Sequence, residues 1–428
     1  MMYLARRSDI SYYREPCHSS ARTEQNEVRI LLANTLMKQS PTSPLVQFTL
    51  LLVSTLTALS NATISPSLPV MREHFSNVEN VDYLVRLALT IPSLFVAIAA
   101  PFAGVLIDQL GRQPILVAAL LIYGIAGSSG LWLNSLESIL IGRAFLGLSV
   151  AGIMTTSTTL ISDYYIGVFR TRLLSWQSAA MALGGVVFLS LGGLLADVSW
   201  RLPFFIYLVA LLLLPAVLLW LPEPSRDQSS AQAHLATEPI RLSIGLVLFT
   251  YVIALITQAA FFMIPVQLPF YLRELTNATA SQSGFVIAVS PLFVAVGSFL
   301  YQRLKAHFAF VSIYGIAFLS MGIGYGVIAL ANGYATVILG LAISGFGLGL
   351  LMPNMNLCLA SITPTALRGR VLGGWTTCLF LGQFFSPLLS QPLSQRLGLS
   401  ATYGLTGTIL ICLGIAAFLV MTRSQRTA

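Results

Sequence analysis

Twelve apolar runs follow one another along this chain, separated by short polar gaps. About 20 mostly apolar residues make one helical crossing of a bilayer. The runs cover residues 46–68, 83–106, 114–133, 136–160, 173–196, 202–221, 243–268, 280–301, 309–331, 334–358, 369–391 and 400–422. Charged residues make up only 9% of the chain, against about 25% in a soluble domain. Too few charges are present to cover a water-facing surface, so most of the surface must face lipid. The expectation is an all-α integral membrane protein with twelve transmembrane helices.

The longest interior polar stretch, PEPSRDQSSAQAHLATEPIR at 222–241, reads as a flexible linker between the sixth and seventh runs. It divides the chain into a six-helix bundle at 45–221 and a second at 242–422, with polar tails at 1–44 and 423–428. The first tail lacks the apolar core of a signal peptide and is expected to be disordered; Met37 is an alternative start. With the amino terminus in the cytoplasm, the inner loops carry Arg112, Arg170, Arg172, Arg226, Arg241, Arg303, Lys305, Arg368 and Arg370. The outer loops carry Arg72, Arg86, Arg201, Arg273 and Arg396. The bias is about two to one with the first tail left out, which places both termini inside.

The halves repeat. At a shift of 198 residues, Gly142 falls on Gly340, Gly147 on Gly345, Met154 on Met352, Arg170 on Arg368 and Arg172 on Arg370. Two parallel six-helix halves produce such a register. The stretch GVLIDQLGRQPIL at 104–116 has a partner in GSFLYQRLK at 297–305, where Tyr301 stands in place of Asp108 and Lys305 in place of Arg112.

GVLIDQLGRQ resembles the signature between the second and third spans of the major facilitator superfamily, with Gly104, Asp108, Gly111 and Arg112 in frame and Gln109 where an arginine is usual. LIGRAFLGLSVAG at 140–152 resembles the fourth-span signature, with Arg143 and Gly147. GGLLADVSWRLPFFI at 192–206 is similar to the family's junction between spans five and six. In the exporter pattern of span five, Gly184, Gly192 and Gly193 fit, while Phe188 and Leu189 stand where Gly-Pro belongs. The resemblance covers roughly residues 45–422 and implies two six-helix pseudo-repeats in the major facilitator fold.

On its residues alone, Gly111-Arg112-Gln113-Pro114 is a tight cytoplasmic turn with Pro114 opening the third span. The resemblance implies in addition that Asp108 holds the halves together at the cytoplasmic face when the outer mouth is open. Its expected partners are Arg112, Arg172 and the amino-terminal end of span eleven, where the helix dipole favours a carboxylate. Arg143 lies inside span four. A buried arginine in a span is costly and marks function by default; the alternative is that it snorkels or bonds to backbone carbonyls. The resemblance implies proton coupling or binding of a polar substrate group. No carboxylate lies deep in a span: Asp82, Glu137 and Asp197 sit at outer ends, Asp108 and Asp163 at inner ends. Asp163, Asp108 and Arg143 are the coupling candidates.

The substrate cavity is expected at mid-membrane between the halves. Ser54, Thr57, Asn61 and Ser65 form a polar stripe on span one, and Thr155–Thr159 a polar run on span four. Span seven offers Gln258, Phe262 and Gln267, span ten Asn354 and Asn356, span eleven Trp375 and Gln383. Serine and threonine often bond their own helix, whereas an amide in a span needs other partners. This lining suits a neutral or weakly basic amphipathic solute. The four cysteines, Cys17, Cys358, Cys378 and Cys412, have no metal-ligand spacing. No Walker loop and no nucleophile–base set appear, so neither a cofactor nor an enzyme is expected, and the scattered basic residues argue for topology rather than nucleic acid. The expected protein is a monomeric, proton-coupled exporter of small molecules in a bacterial inner membrane. The alternatives are a nutrient uptake permease and a non-transporting sensor with a transporter fold.

Overall fold

The computed structural model describes residues 43–224 and 244–427. The tail at 1–42 and most of the linker lie outside the described residues. Among the described residues twelve helical segments run in sequence: α1 Pro44–His74, α2 Val81–Leu110, α3 Arg112–Leu131, α4 Leu136–Tyr164, α5 Gly167–Val198, α6 Leu202–Trp220, α7 Ile244–Thr276, α8 Ala280–Lys305, α9 Phe310–Ala329, α10 Tyr334–Ile362, α11 Thr365–Leu397 and α12 Leu399–Thr427. Among the described residues, eleven are long and apolar enough to cross a membrane. The remaining one, α11, is 33 residues long but carries Arg368, Arg370, Gln383, Ser386, Ser390 and Gln391.

The first helix of each half is broken, and proline is the cause. In α1 a helix at Pro44–Ala62 gives way to a 3-10 turn at Ser65–Ser67 and a short helix at Leu68–His74. In α7, Ile244–Phe261 is followed by Met263–Thr276. Proline has no N–H to offer the carbonyl four residues earlier. Pro66 therefore ends the first segment at Ala62, and Pro265 ends its counterpart at Phe261.

Tyrosines hold the carbonyls around each break. Tyr123 of α3 donates to the Leu56 carbonyl at 2.7 Å and Tyr207 of α6 to that of Ser60 at 3.0 Å. In the second half Tyr325 of α9 donates to Ala260 at 2.6 Å and Tyr403 of α12 to Met263 at 3.1 Å. All four side chains are fully buried. The ring centroids of Tyr123 and Tyr207 are 5.7 Å apart, and those of Tyr325 and Tyr403 are 5.6 Å apart. The two halves thus also repeat in how tyrosines of their third and sixth helices bond the broken first one.

Each half has its own apolar core. The halves meet chiefly along two helix pairs, α2 with α11 and α5 with α8, with smaller contacts of α1 against α7 and α8. Glycine sets the closeness of the second crossing. A Cβ on Gly193 would lie 2.6 Å from the Ala280 carbonyl oxygen, and one on Gly284 would lie 2.5 Å from that of Leu189.

Several boundaries differ from the sequence expectation. The turn between α2 and α3 is one residue, Gly111 at φ +99°, and α3 begins at Arg112 rather than Pro114. The helices α5 and α11 begin at Gly167 and Thr365, so Arg170, Arg172, Arg368 and Arg370 sit on helices rather than in loops. Pro222 and Glu223, assigned to the linker, are bonded to the first half: the Pro222 carbonyl accepts from the Tyr164 hydroxyl, and Glu223 binds α3.

Candidate functional site between the halves

At mid-depth, amides from both halves converge. Gln383 of α11 accepts at Oε1 from Ser93 of α2 at 2.8 Å and from the Asn61 amide of α1 at 3.5 Å. On α7, Gln258 is at the same level, because a Cβ on the neighbouring Gly382 would lie 2.9 Å from the Gln258 Cβ. Its amide nitrogen lies 3.7 Å from the Met352 sulfur. Asn61 Oδ1, Gln258 Oε1 and Trp375 Nε1 are buried with no hydrogen-bond partner among the described residues. Phe262 is buried at the α7 break. The remaining amide candidates are not part of this group. Asn354 is enclosed in the second half, donating to the Phe310 carbonyl at 3.1 Å and accepting from Tyr301 at 3.4 Å. Asn356 is exposed.

From mid-depth to the end carrying the α1–α2 loop, side chains tie the halves together. Ser65 donates to the Pro265 carbonyl at 2.6 Å, joining the two helix breaks. Arg86 of α2 donates to Gln267 Oε1 of α7 at 2.9 Å, and the Gln267 amide donates to Ser390 and Gln391 of α11 at 3.0 and 3.1 Å. Glu73 pairs with Arg273 at 2.7 Å. The Asp197 carboxylate at the end of α5 accepts from the Ala280 and Ser281 amides that open α8, at 2.8 and 3.2 Å, where the helix dipole favours negative charge.

The end carrying the α2–α3 loop is organised within the first half. Arg112 is buried and bonds Asp163 at 3.0 Å and Asp108 at 3.7 Å. Glu223 accepts from the Arg112 and Gln113 amides, each at 2.6 Å, and so caps α3. A Cβ on Gly111 would lie 2.9 Å from Glu223 Oε1, so both the backbone angle and the capping carboxylate demand glycine here. Asp108 itself is 74% exposed. At Gly104, and at Gly369 and Gly373 of α11, a Cβ would meet no atom within 4 Å. Arg172 stacks over Trp176 at 4.7 Å, and the structure does not bring it to Asp108.

Arg143 is completely enclosed in the first half. It donates from Nε to the Ala88 carbonyl at 2.9 Å, from Nη1 to the Tyr207 hydroxyl at 2.8 Å and from Nη2 to the Ser60 carbonyl at 2.6 Å. Both carbonyls lie where a helix cannot supply its own donor. Ala88 is four residues before Pro92, and Ser60 is in the last turn before the α1 break.

Sequence reasoning missed Arg86, Ser93, Ser390, Gln391 and Glu223. For Arg86 a signal existed, since it lies inside the run 83–106 while being counted with the outer loops. Glu223 is hidden by its polar neighbours.

A bundle of twelve helices in two related halves, with amides converging on the seam at mid-depth, defines a multi-pass membrane transporter of small molecules rather than an enzyme. The chain belongs to the Major Facilitator Superfamily, whose family model matches residues 50–272 and 250–428. It is similar to the multi-drug resistance efflux pump PmrA homolog of Lactococcus lactis, at 25% identity over 74% of this chain and 79% of that protein. A shorter match, to multidrug resistance protein 1 of Bacillus subtilis, is 34% identical over 32% of this chain and 35% of that protein. Among solved structures, a D-xylose–proton symporter superposes with a TM-score of 0.71 at 18% identity, covering 87% of this chain and 96% of that one.

Proposed function

We propose that this protein exports small amphipathic molecules by alternating access, in exchange for protons, across a bacterial inner membrane with both termini in the cytoplasm. Arg112, Arg170, Arg172, Arg303, Lys305, Arg368 and Arg370 gather at the α2–α3 end, which the positive-inside rule makes cytoplasmic. The conformation is then tied shut at the outer end. The observation that carries the reading is the set of polar atoms without partners at Asn61, Gln258 and Trp375. Asn61 and Gln258 lie at mid-depth, on the cytoplasmic side of the outer closure, and Trp375 lies about two turns of α11 nearer the cytoplasmic end, beside Val247, Leu359 and Val371. Such a site offers few hydrogen bonds and no charge, which suits an amphipathic solute. The Lactococcus lactis relative, named as an efflux pump, favours export.

The test is reconstitution into proteoliposomes under an inward-directed proton gradient, with internal pH followed while amphipathic compounds are added. Substrate-stimulated proton movement is expected, with loss of substrate binding in Asn61→Ala and Gln383→Ala. A compound crossing without protons would overturn the coupling. Nutrient uptake is the second reading, favoured by Phe188 and Leu189 in place of Gly-Pro in α5. Everted vesicles separate the two, since only an exporter fills them with substrate when their interior is acidified.

A further inference from the structure

Asp197 stands in the last turn of α5, at the end of a helix where its own dipole disfavours a carboxylate. Its partners are on the other half. The Asp197 carboxylate accepts from the Ala280 amide at 2.8 Å and from the Ser281 amide at 3.2 Å, the first two residues of α8. A helix begins with four backbone donors that it cannot satisfy along its own ladder. The second half covers two of the four by a capping box: the Thr279 amide donates to Gln282 Oε1 at 3.0 Å, and the Gln282 amide to the Thr279 hydroxyl at 3.3 Å. Tyr334 of α10 donates to the same Gln282 oxygen at 2.9 Å. The other two donors are the ones that Asp197 takes, so the cap of α8 is shared between the halves. Glycine gives α5 the approach this needs. Gly193, one turn before Asp197, and Gly284, one turn into α8, lie where a Cβ would strike the opposite backbone. Among the described residues, the Asp197 bonds are the only side-chain hydrogen bonds between α5 and α8. The other side-chain ties across the halves run from α1 and α2 to α7 and α11.

We propose that Asp197 latches the outer ends of α5 and α8, and that this shared cap sets the balance between the outer-closed and outer-open conformations. The proposal rests on the alternating-access reading above and adds to it a group that holds one of the two states. Separating the halves at this end parts Asp197 from the Ala280 and Ser281 amides. Both sides can then hydrate, since Asp197, Thr279 and Ala280 border a cleft of about 570 Å³. Water replaces the two hydrogen bonds at modest cost. It does not replace the dipole: in the open state the carboxylate keeps the adverse end of α5 and loses the favourable end of α8. Thr279 and Gln282 move with α8 and serve it equally in both states. Asp197 therefore favours the closed outer mouth, by an electrostatic term that needs no change of protonation. The other charged side chain at this cleft, Arg273, is engaged by Glu73 at 2.7 Å. Loss of the latch leaves more protein facing outward and less facing substrate in the cytoplasm. An exporter without it needs more internal substrate for the same rate.

The test is a pair of distances between spin labels, measured by electron–electron double resonance in nanodiscs on full-length protein whose native cysteines are replaced by serine. One pair, Glu137 and Asn332, spans the outer face, and a second pair, Thr171 and Ala306, spans the inner face; all four positions are exposed. Asp197→Ala should raise the ratio of long to short outer distances about fivefold, and the short inner population should grow with it. Asp197→Asn keeps an acceptor oxygen without the charge, and should give a smaller rise. Ser281→Asp sets a second carboxylate against Asp197 and caps α8 from its own half. It should open the outer mouth as Asp197→Ala does, and add little in the Asp197→Ala background. Thr279→Ala weakens the same cap within one half, so it should lower the unfolding temperature and leave the ratio at the parent value. Distances in Asp197→Ala identical to those of the parent overturn the proposal, as does an equal opening in Thr279→Ala. Reciprocal exchange of the two pairs in the parent, with no response to Asp197→Ala, removes this inference alone. Opening outside in Asp197→Ala with the inner distances unchanged keeps the latch and removes alternating access.

Discussion

The guanidinium of Arg143 on α4 holds the carbonyl of Ala88 on α2, at 2.9 Å, that Pro92 leaves without a donor. This pairing ties a family signature residue to a backbone defect one helix away. Replacing Arg143 by Met removes the donor to Ala88 and one of the two donors to Ser60, Tyr207 keeping the other, and the expected loss is about 2–4 kcal/mol of stability, seen as a lower unfolding temperature in detergent. Pro92→Ala restores an amide to the Ala88 carbonyl. It should recover about 1 kcal/mol in the Arg143→Met background and little or nothing alone. Additive effects in that double-mutant cycle would disconnect the two residues.

Gly111 is held at φ +99° and ψ 163°, a region nearly confined to glycine. Gly111→Ala should cost about 1–3 kcal/mol. Part of that cost is contact with the Glu223 carboxylate, so it should shrink in a Glu223→Ala background while the backbone part remains. Equal penalties in both backgrounds, measured by thermal unfolding, would remove Glu223 from the account of this turn.

Asp108 is exposed, and its ion pair with Arg112 is long, so Asp108→Asn should change stability by less than about 0.5 kcal/mol. If Asp108 bridges the halves in the opposite conformation, the same substitution should lower transport and bias the protein toward the state described here. Cysteine accessibility at the α2–α3 end reads that bias. Unchanged transport together with unchanged accessibility would reduce Asp108 to a turn residue.

At the α5–α8 crossing, Gly193→Val would force a side chain against the Ala280 carbonyl. The crossing should be wedged apart at the α1–α2 end, with several-fold faster labelling of a cysteine placed at Ser281 by a membrane-impermeant maleimide. Labelling at the parent rate would mean that the crossing tolerates a side chain.

The helices were legible because lipid imposes a length and an apolar composition on each crossing, and α11 was found despite its glutamines and serines because its first and last turns frame one apolar run. Asn61 and Gln383 were singled out because a carboxamide in a span needs a partner, and they share a hydrogen bond. Asn354 satisfies the same need by a different route, through Tyr301 and the Phe310 carbonyl, and only packing reveals which route an amide takes. The prolines at 66, 92 and 265 were visible as letters. The groups that answer them, Tyr207, Tyr325 and Arg143, lie on other helices, so their meaning is a matter of tertiary contact. Arg86 was counted with the loops because topology counting asks only which side of the membrane a charge is nearer.

A break in a helix is commonly where compliance collects. Here the two breaks are splinted: Tyr123 and Tyr207 brace α1 from within its own half, and Tyr325 and Tyr403 do the same for α7. Bending at Pro66 or Pro265 would cost buried hydrogen bonds, whereas sliding along the α2–α11 and α5–α8 contacts exchanges a few polar side-chain bonds for water. The soft coordinates of the molecule are then very few. It should deform as two plates on a shared line of contact, with a push on any one rod borne by the other five in its plate.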